Sequence, residues 1–191
     1  MGTKLFFSLV LLLAASSVLE GQDKQEQELR IASEAAPKAA RAWLSLVFGD
    51  NNRIKWYAET TSGRQSIEAK FKHQRRHFSV EFSPTGELED VESVLKLRQI
   101  PDSTRRQLIY TFKTLPKFKL NRIQEQWQGS TEGIRSALQG RFSREVLVQY
   151  EIEFSAKMKG IYGIWEGTFS KNGELLTYRQ IVLRPTTNLN Y

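Results

Sequence analysis

The sequence predicts an α+β fold: an antiparallel sheet with helices packed on one face, built as a tandem repeat of a helix-plus-hairpin unit. Three observations lead there. Two amphipathic segments, "SEAAPKAARAWLSLVFGD" and "PDSTRRQLIYTFKTL", carry apolar residues at helical spacing. Several runs between and after them alternate apolar and polar residues with period two, the mark of strands with one face on a core and one in water. A third observation is the motif Phe-Ser-x-x-Gly-Glu-Leu, which occurs at Phe82–Leu88 and again at Phe169–Leu175.

The elements follow in order. In the first helix Ser33 offers a cap, Pro37 sits in the first turn, and Ala39, Ala40, Trp43, Leu44 and Val47 form the stripe. Gly49 and Asp50 end it. "RIKWYAET" then places Ile54 and Trp56 on one face. "SIEAKFK" alternates Ile67, Ala69 and Phe71 against Glu68, Lys70 and Lys72, and "HFSVEFS" alternates Phe78, Val80 and Phe82 against Ser79 and Glu81. The polar "HQRR" between them makes a hairpin, and "SPTGE" is a turn with Pro84 and Gly86 in suitable places. "ELEDVESVLKL" reads as a fourth strand or the first turns of a helix. Pro101 opens the second helix, Leu108, Ile109, Phe112 and Leu115 form its stripe, and Pro116 stops it. "KFKLNRIQEQWQ" returns to strand, "STEGIRSALQGRFS" is a Gly-punctuated connection with room for a helical turn, and three further strands complete the chain. Glu68–Phe71 aligns with Glu151–Phe154, and the two Gly-Glu-Leu turns align beyond them. The same turn is expected to close the same hairpin twice.

Composition narrows the function. Lys4 precedes an uncharged apolar run from Leu5 to Leu19, with Gly21 before the polar "QDKQEQE". A basic start, an apolar stretch shorter than a membrane span and small residues at its end predict a secretory signal peptide, cut within Ala15–Gly21. No later stretch is apolar enough to span a membrane, so no transmembrane segment is expected after cleavage. The chain has no cysteine, which excludes thiol nucleophiles, cysteine zinc sites, disulfides and lipidation at the cleavage point. The net charge is +7, and loss of Lys4 and Glu20 leaves it so. Basic residues concentrate in Gly63–His77 and Lys96–Arg122, interleaved with Glu and Asp, as on a solvated surface. Export argues against a nucleic-acid partner.

The run "IKWYAETTSGRQSIEAKFKHQRRHFSVEFSPTGELEDVESVLKLRQIPDS" carries a family resemblance. A Trp-bearing strand leads to Ile-Glu-Ala-x-Phe, then Phe-x-Val-x-Phe, x-Gly-x-Leu, an acidic stretch and Ile-Pro. This resembles the PepSY-like family, the extracytoplasmic domains also called β-lactamase-inhibitor-like. "YEIEFSAKM…NGELL" looks like a second copy, and the resemblance runs from Ala36 to Val182. It implies a helix on a small antiparallel sheet, in tandem, outside the cytoplasm, in a family that is mostly non-enzymatic. Some relatives inhibit secreted hydrolases by laying the sheet across the enzyme. The domain plan that follows is a signal peptide at 1–21, a polar N-terminal tail at 22–32, a first PepSY-like repeat at 33–128 and a shorter, divergent second at 129–191.

Chemistry is sparse. A nucleophilic triad needs a base, and His73 and His77 both fall in or beside a cationic hairpin. Their spacing suits a metal on a helix but not on alternating strands, so no metal site is expected. A glycosidase needs two carboxylates across a cleft. Glu81, Glu87, Glu89, Asp90 and Glu92 supply candidates, but Glu68 and Glu81 are expected to pair with Lys and Arg across strands. No phosphate loop, cofactor motif or catalytic set is found. The expectation is therefore a non-catalytic exported protein, periplasmic or secreted, that engages a protein or peptide through its open sheet face. The alternative is an envelope component contacting acidic glycan or lipid headgroups through its basic first half. Candidate binding residues are Lys70, Lys72, Arg75, Arg76, Tyr162 and Trp165, the last two as aromatic anchors near a hairpin tip.

Overall fold

A computed structural model describes residues 19–20, 26–50, 53–61, 63–141 and 144–181. The expected signal peptide lies outside them except for Leu19–Glu20, a two-residue strand β1 that runs parallel to Thr177–Tyr178. Nine longer strands follow: β2 (Glu26–Ile31), β3 (Lys55–Thr61), β4 (Arg64–His73), β5 (Arg76–Phe82), β6 (Leu88–Leu95), β7 (Lys119–Gly129), β8 (Val146–Met158), β9 (Ile161–Ser170) and β10 (Leu175–Gln180). Helices are α1 (Lys38–Phe48), α2 (Asp102–Thr114) and α3 (Thr131–Leu138).

All the described strands join one sheet in the order β1-β10-β9-β8-β7-β6-β5-β4-β3-β2, antiparallel apart from β1. This corrects the expected fold class. The described residues form a single, strand-dominated antiparallel sheet with three short α-helices, not a tandem of helix-plus-hairpin units. The physical reason lies at the centre. β6 and β7 pair from Asp90↔Gln128 to Leu95↔Ile123, so no strand edge is left open between the two halves of the chain. A free hairpin edge would expose unpaired backbone groups, and one continuous sheet removes it. Glu26–Ile31, read as a loose tail, is likewise a strand, registered with β3 from Glu26↔Thr61 to Ile31↔Trp56.

The apolar face of the sheet carries the core in two clusters. Ala40, Trp43 and Leu44 of α1 and Ile134 of α3 cover Trp56, Ala69, Phe71, Phe78, Val80, Phe82 and Val91. Leu108 and Phe112 of α2 cover Ile123, Tyr150, Ile152, Phe154, Trp165 and Phe169. Between the clusters, Arg76 lies on this face near the Phe78 and Trp127 rings, 5.5 and 5.8 Å from their centroids, and donates to Glu125 Oε2 at 3.2 Å. Burial raises the Glu125 pKa against the pull of Arg76, and burial beside Glu125 pushes the Tyr150 phenol to about 12.

The two Gly-Glu-Leu turns fold alike. Gly86 N donates to Ser83 O at 2.9 Å and Ser83 N to Glu87 O at 2.8 Å; Gly173 N donates to Ser170 O at 2.8 Å and Ser170 N to Glu174 O at 2.8 Å. Both glycines have positive φ, +93° and +86°. Each also gives a helix its seat. A Cβ on Gly86 would stand 2.8 Å from Pro37 Cβ, ahead of α1, and one on Gly173 would stand 2.8 Å from Thr104 O in the first turn of α2. At both positions the motif needs glycine for conformation and for space.

Candidate functional site: the open sheet face

Strand alternation sends every second residue to the face without helices, and cross-strand register decides which of them meet. Tyr57, Glu68, Glu81, Asp90 and Gln128 form one row across β3 to β7. Two residues along, Lys55, Lys70, Ser79, Glu92, Gln126 and Gln149 form the next, from β3 to β8. Beyond them, Lys72 faces His77, and Gln124 faces Glu151. Arg122, Glu153, Glu166 and Arg179 make a last row over β7 to β10. Glu68 and Glu81 were expected to oppose Lys and Arg. They oppose each other, and Asp90 comes next. Register across four strands sets this, and the sequence of a single strand does not carry it.

Like charges in a row are unfavourable unless something compensates. Here part of the compensation is an amide. Gln126 Nε2 lies 3.1 Å from Asp90 Oδ2, 3.3 Å from Glu92 Oε1 and 3.3 Å from Glu151 Oε1, so its two N–H groups are shared among three carboxylates. Gln124 donates to Glu92 as well, and Ser79 to Glu68. Asp90 is 8% exposed. Burial, then the charges of Glu81 and Glu151, push its carboxyl up to about 8 against a hydrogen bond from Gln128. The rest of the compensation is ionic. Lys70 Nζ lies 2.8 Å from Glu68 and also contacts Glu28; burial works against the ammonium, but these two carboxylates outweigh it and hold its pKa above the ordinary lysine value. Glu28, Glu59 and Glu68 each bring an oxygen within 4.8 Å of the others, and the cation seated on two of them is Lys70. Arg179 Nε reaches Glu166 at 2.7 Å, and Arg122 stands 3.6 Å from Glu153.

The six residues expected to bind do not form one patch. Lys70 and Lys72 are on the open face, the first tied to carboxylates, the second exposed. Arg75 is in the β4–β5 turn with φ +68°. Arg76 is on the helix side with Glu125. Tyr162 projects from the β8–β9 hairpin, 58% exposed, whereas Trp165 is 3% exposed in the core and donates to Ala156 O at 3.1 Å. The two histidines sit on opposite faces: His73 packs edge-on to Phe48 at 5.4 Å between ring centroids, and His77 lies beside Lys72 on the open face.

A cavity of about 460 Å³ opens on this face over β3 to β7. Its lining holds Arg53, Lys55, Lys70, Lys72, His77 and Arg122, the polar Ser79, Glu92 and Gln124, and the apolar Phe71, Phe78 and Val94. Asp90 and Glu81 are outside it. The raised Asp90 carboxyl is therefore held in an amide network, not in the cavity.

No family model matches the chain, and no curated protein matches it. Solved structures do. A DUF2874 family protein from Bacteroides ovatus is 13% identical with a TM-score of 0.53, over 80% of this chain and 96% of that one. A candidate periplasmic protein from Bacteroides eggerthii is 14% identical with a TM-score of 0.52, over 76% and 88%. A BLIP-like protein from Bacteroides fragilis is 13% identical with a TM-score of 0.53, over 79% and 91%. The chain thus shares the fold of DUF2874 and BLIP-like proteins.

Proposed function

We propose that this protein is a non-catalytic extracytoplasmic module, periplasmic or secreted, that engages a protein or peptide through its open sheet face. One observation carries the reading. Among the described residues helices cover only one side of the sheet, and the other side holds Glu68, Glu81 and Asp90 in one row and Lys55 beside Lys70 in the next. Exposed Leu147 and Tyr162 on the same face give a partner apolar area whose contacts persist when charge is screened, and the charge pattern around them selects which partner fits. The candidate periplasmic protein and the BLIP-like protein of shared fold support an exported binding role, as does the PepSY-like, β-lactamase-inhibitor-like resemblance of Ile54–Ser103. The expected signal peptide points the same way. Among the described residues no helix is long and apolar enough to cross a membrane.

The test is affinity capture from envelope and culture-supernatant extracts at low salt and at ~0.3 M salt, where exposed charges are screened within a few ångströms to about 10 Å. Leu147→Lys and Tyr162→Ala alter exposed residues of the open face; Leu46→Lys and Tyr110→Ala alter exposed residues of α1 and α2. A protein retained at both salts, lost with the first pair and kept with the second, is the expected result. Retention indifferent to the open-face pair, or lost at the higher salt, would overturn it.

A further inference from the structure

We propose that the cavity over β3 to β7 is a binding site for an acidic saccharide, with the acid group on its lysine and arginine side chains and sugar hydroxyls on its polar residues. The proposal goes beyond partner binding by the open face and does not depend on it. Arg53, Lys55 and Lys72 are all exposed and make no ion pair among the described residues, unlike Lys70 and Arg179 on the same face. Arg122 is held only by a 3.6 Å contact to Glu153. Register places Lys55 opposite Lys70, which is already tied to Glu28 and Glu68, and Lys72 opposite His77, so the charges of Lys55 and Lys72 are left for a ligand. Four cations around one concavity focus its field as scattered surface lysines do not.

The rest of the lining decides what kind of anion. A volume of about 460 Å³ is within the range of small-molecule sites and far exceeds a bare inorganic ion. Glu92, Gln124 and Ser79 line it with the cations, beside Phe71, Phe78 and Val94, whose apolar surface suits the C–H face of a sugar ring. A carboxylate there repels a compact polyanion, while the Gln124 side-chain carbonyl and the Ser79 hydroxyl offer acceptors for sugar hydroxyls. A ligand with one acid group and several hydroxyls satisfies both kinds of residue. Uronic-acid and sulfated sugars share that chemistry.

The experiment is calorimetric titration of the full chain at low salt with trigalacturonate, lactose 3′-sulfate, maltotriose and inorganic phosphate. A double variant Lys55→Gln/Lys72→Gln is compared with Arg106→Gln/Lys113→Gln, which removes the same charge from α2. Saturable binding of the uronate or the sulfated sugar, with maltotriose silent, is expected; which of the two binds tells the acid group. The cavity variant should weaken binding at least about tenfold, the usual effect of losing charge-assisted hydrogen bonds, and the α2 variant hardly at all. The cavity variant should melt no lower than the parent, because Lys55 and Lys72 are exposed and in no ion pair among the described residues, so lost binding cannot be ascribed to unfolding. Neither sugar binding, equal weakening by both variants, or phosphate binding as tightly as the sugars would each overturn the proposal. If the sugars fail while face-dependent protein capture persists, the cavity site falls and the partner reading stands.

Discussion

Asp90 allows the sharpest test of the open face. Its carboxyl, buried and crowded by Glu81 and Glu151, has a pKa near 8 in the folded chain and about 3.9 when unfolded. Below about pH 4 both states hold the proton and there is no penalty. Between about 4 and 8 the folded state binds more protons than the unfolded one, so stability falls as pH rises, and above 8 the loss is complete. Four pH units correspond to about 5 kcal/mol as a ceiling, and the span from pH 5.5 to 8.5 to about 3 kcal/mol. With a urea slope of about 2 kcal/mol/M, that moves the unfolding midpoint down by more than ~1 M. Asp90→Asn keeps an oxygen for the Gln126 amide and removes the titration. Urea unfolding of both proteins at pH 5.5, 7 and 8.5 should give a falling midpoint for the parent and a much flatter one for the variant. Glu125, also raised by burial, remains in both and leaves a small common slope. Midpoints that move in parallel to within about 0.3 M would refute the burial-and-crowding account of this row.

Two further outcomes follow from the packing. Gly86→Ala and Gly173→Ala each force a Cβ to 2.8 Å of a neighbour at positive φ, so each should lower stability by about 2–4 kcal/mol in urea melts; Gly63→Ala, at φ +86° with open space around it, should lose about 1 kcal/mol. Arg76→Ala strands Glu125 between the two clusters and should cost about 1–3 kcal/mol, most of it regained in Arg76→Ala/Glu125→Gln, which a double-mutant cycle of midpoints will show.

Much of the local structure was legible. The α1 and α2 stripes, the alternation in β4 and β5 and the "HQRR" hairpin all follow from period and turn chemistry within one segment. The candidate site was read less well. Trp165 looked like an anchor because aromatic residues favour interfaces, yet its place opposite Phe154 puts it in the core. Arg76 followed its strand's apolar parity and went to the helix side with Phe78 and Val80. The polar spacing of "EQELRI" hid a strand because its alternation is weak, and only the partner β3 makes it one.

The sequence by itself determined the compartment expected of the chain, the absence of thiol chemistry, the order of most elements and the two glycine turns. Those properties reside in composition or in the period of a few neighbouring residues. The tertiary structure decided the single continuous sheet, the row of Glu68, Glu81 and Asp90, the Gln126 amide among three carboxylates and the cationic lining of the cavity. These depend on register between strands up to about 40 residues apart in the chain, such as Asp90↔Gln128. A shift of one residue would send each of those side chains to the other face, so the site exists only once the pairing of β3 through β8 is fixed.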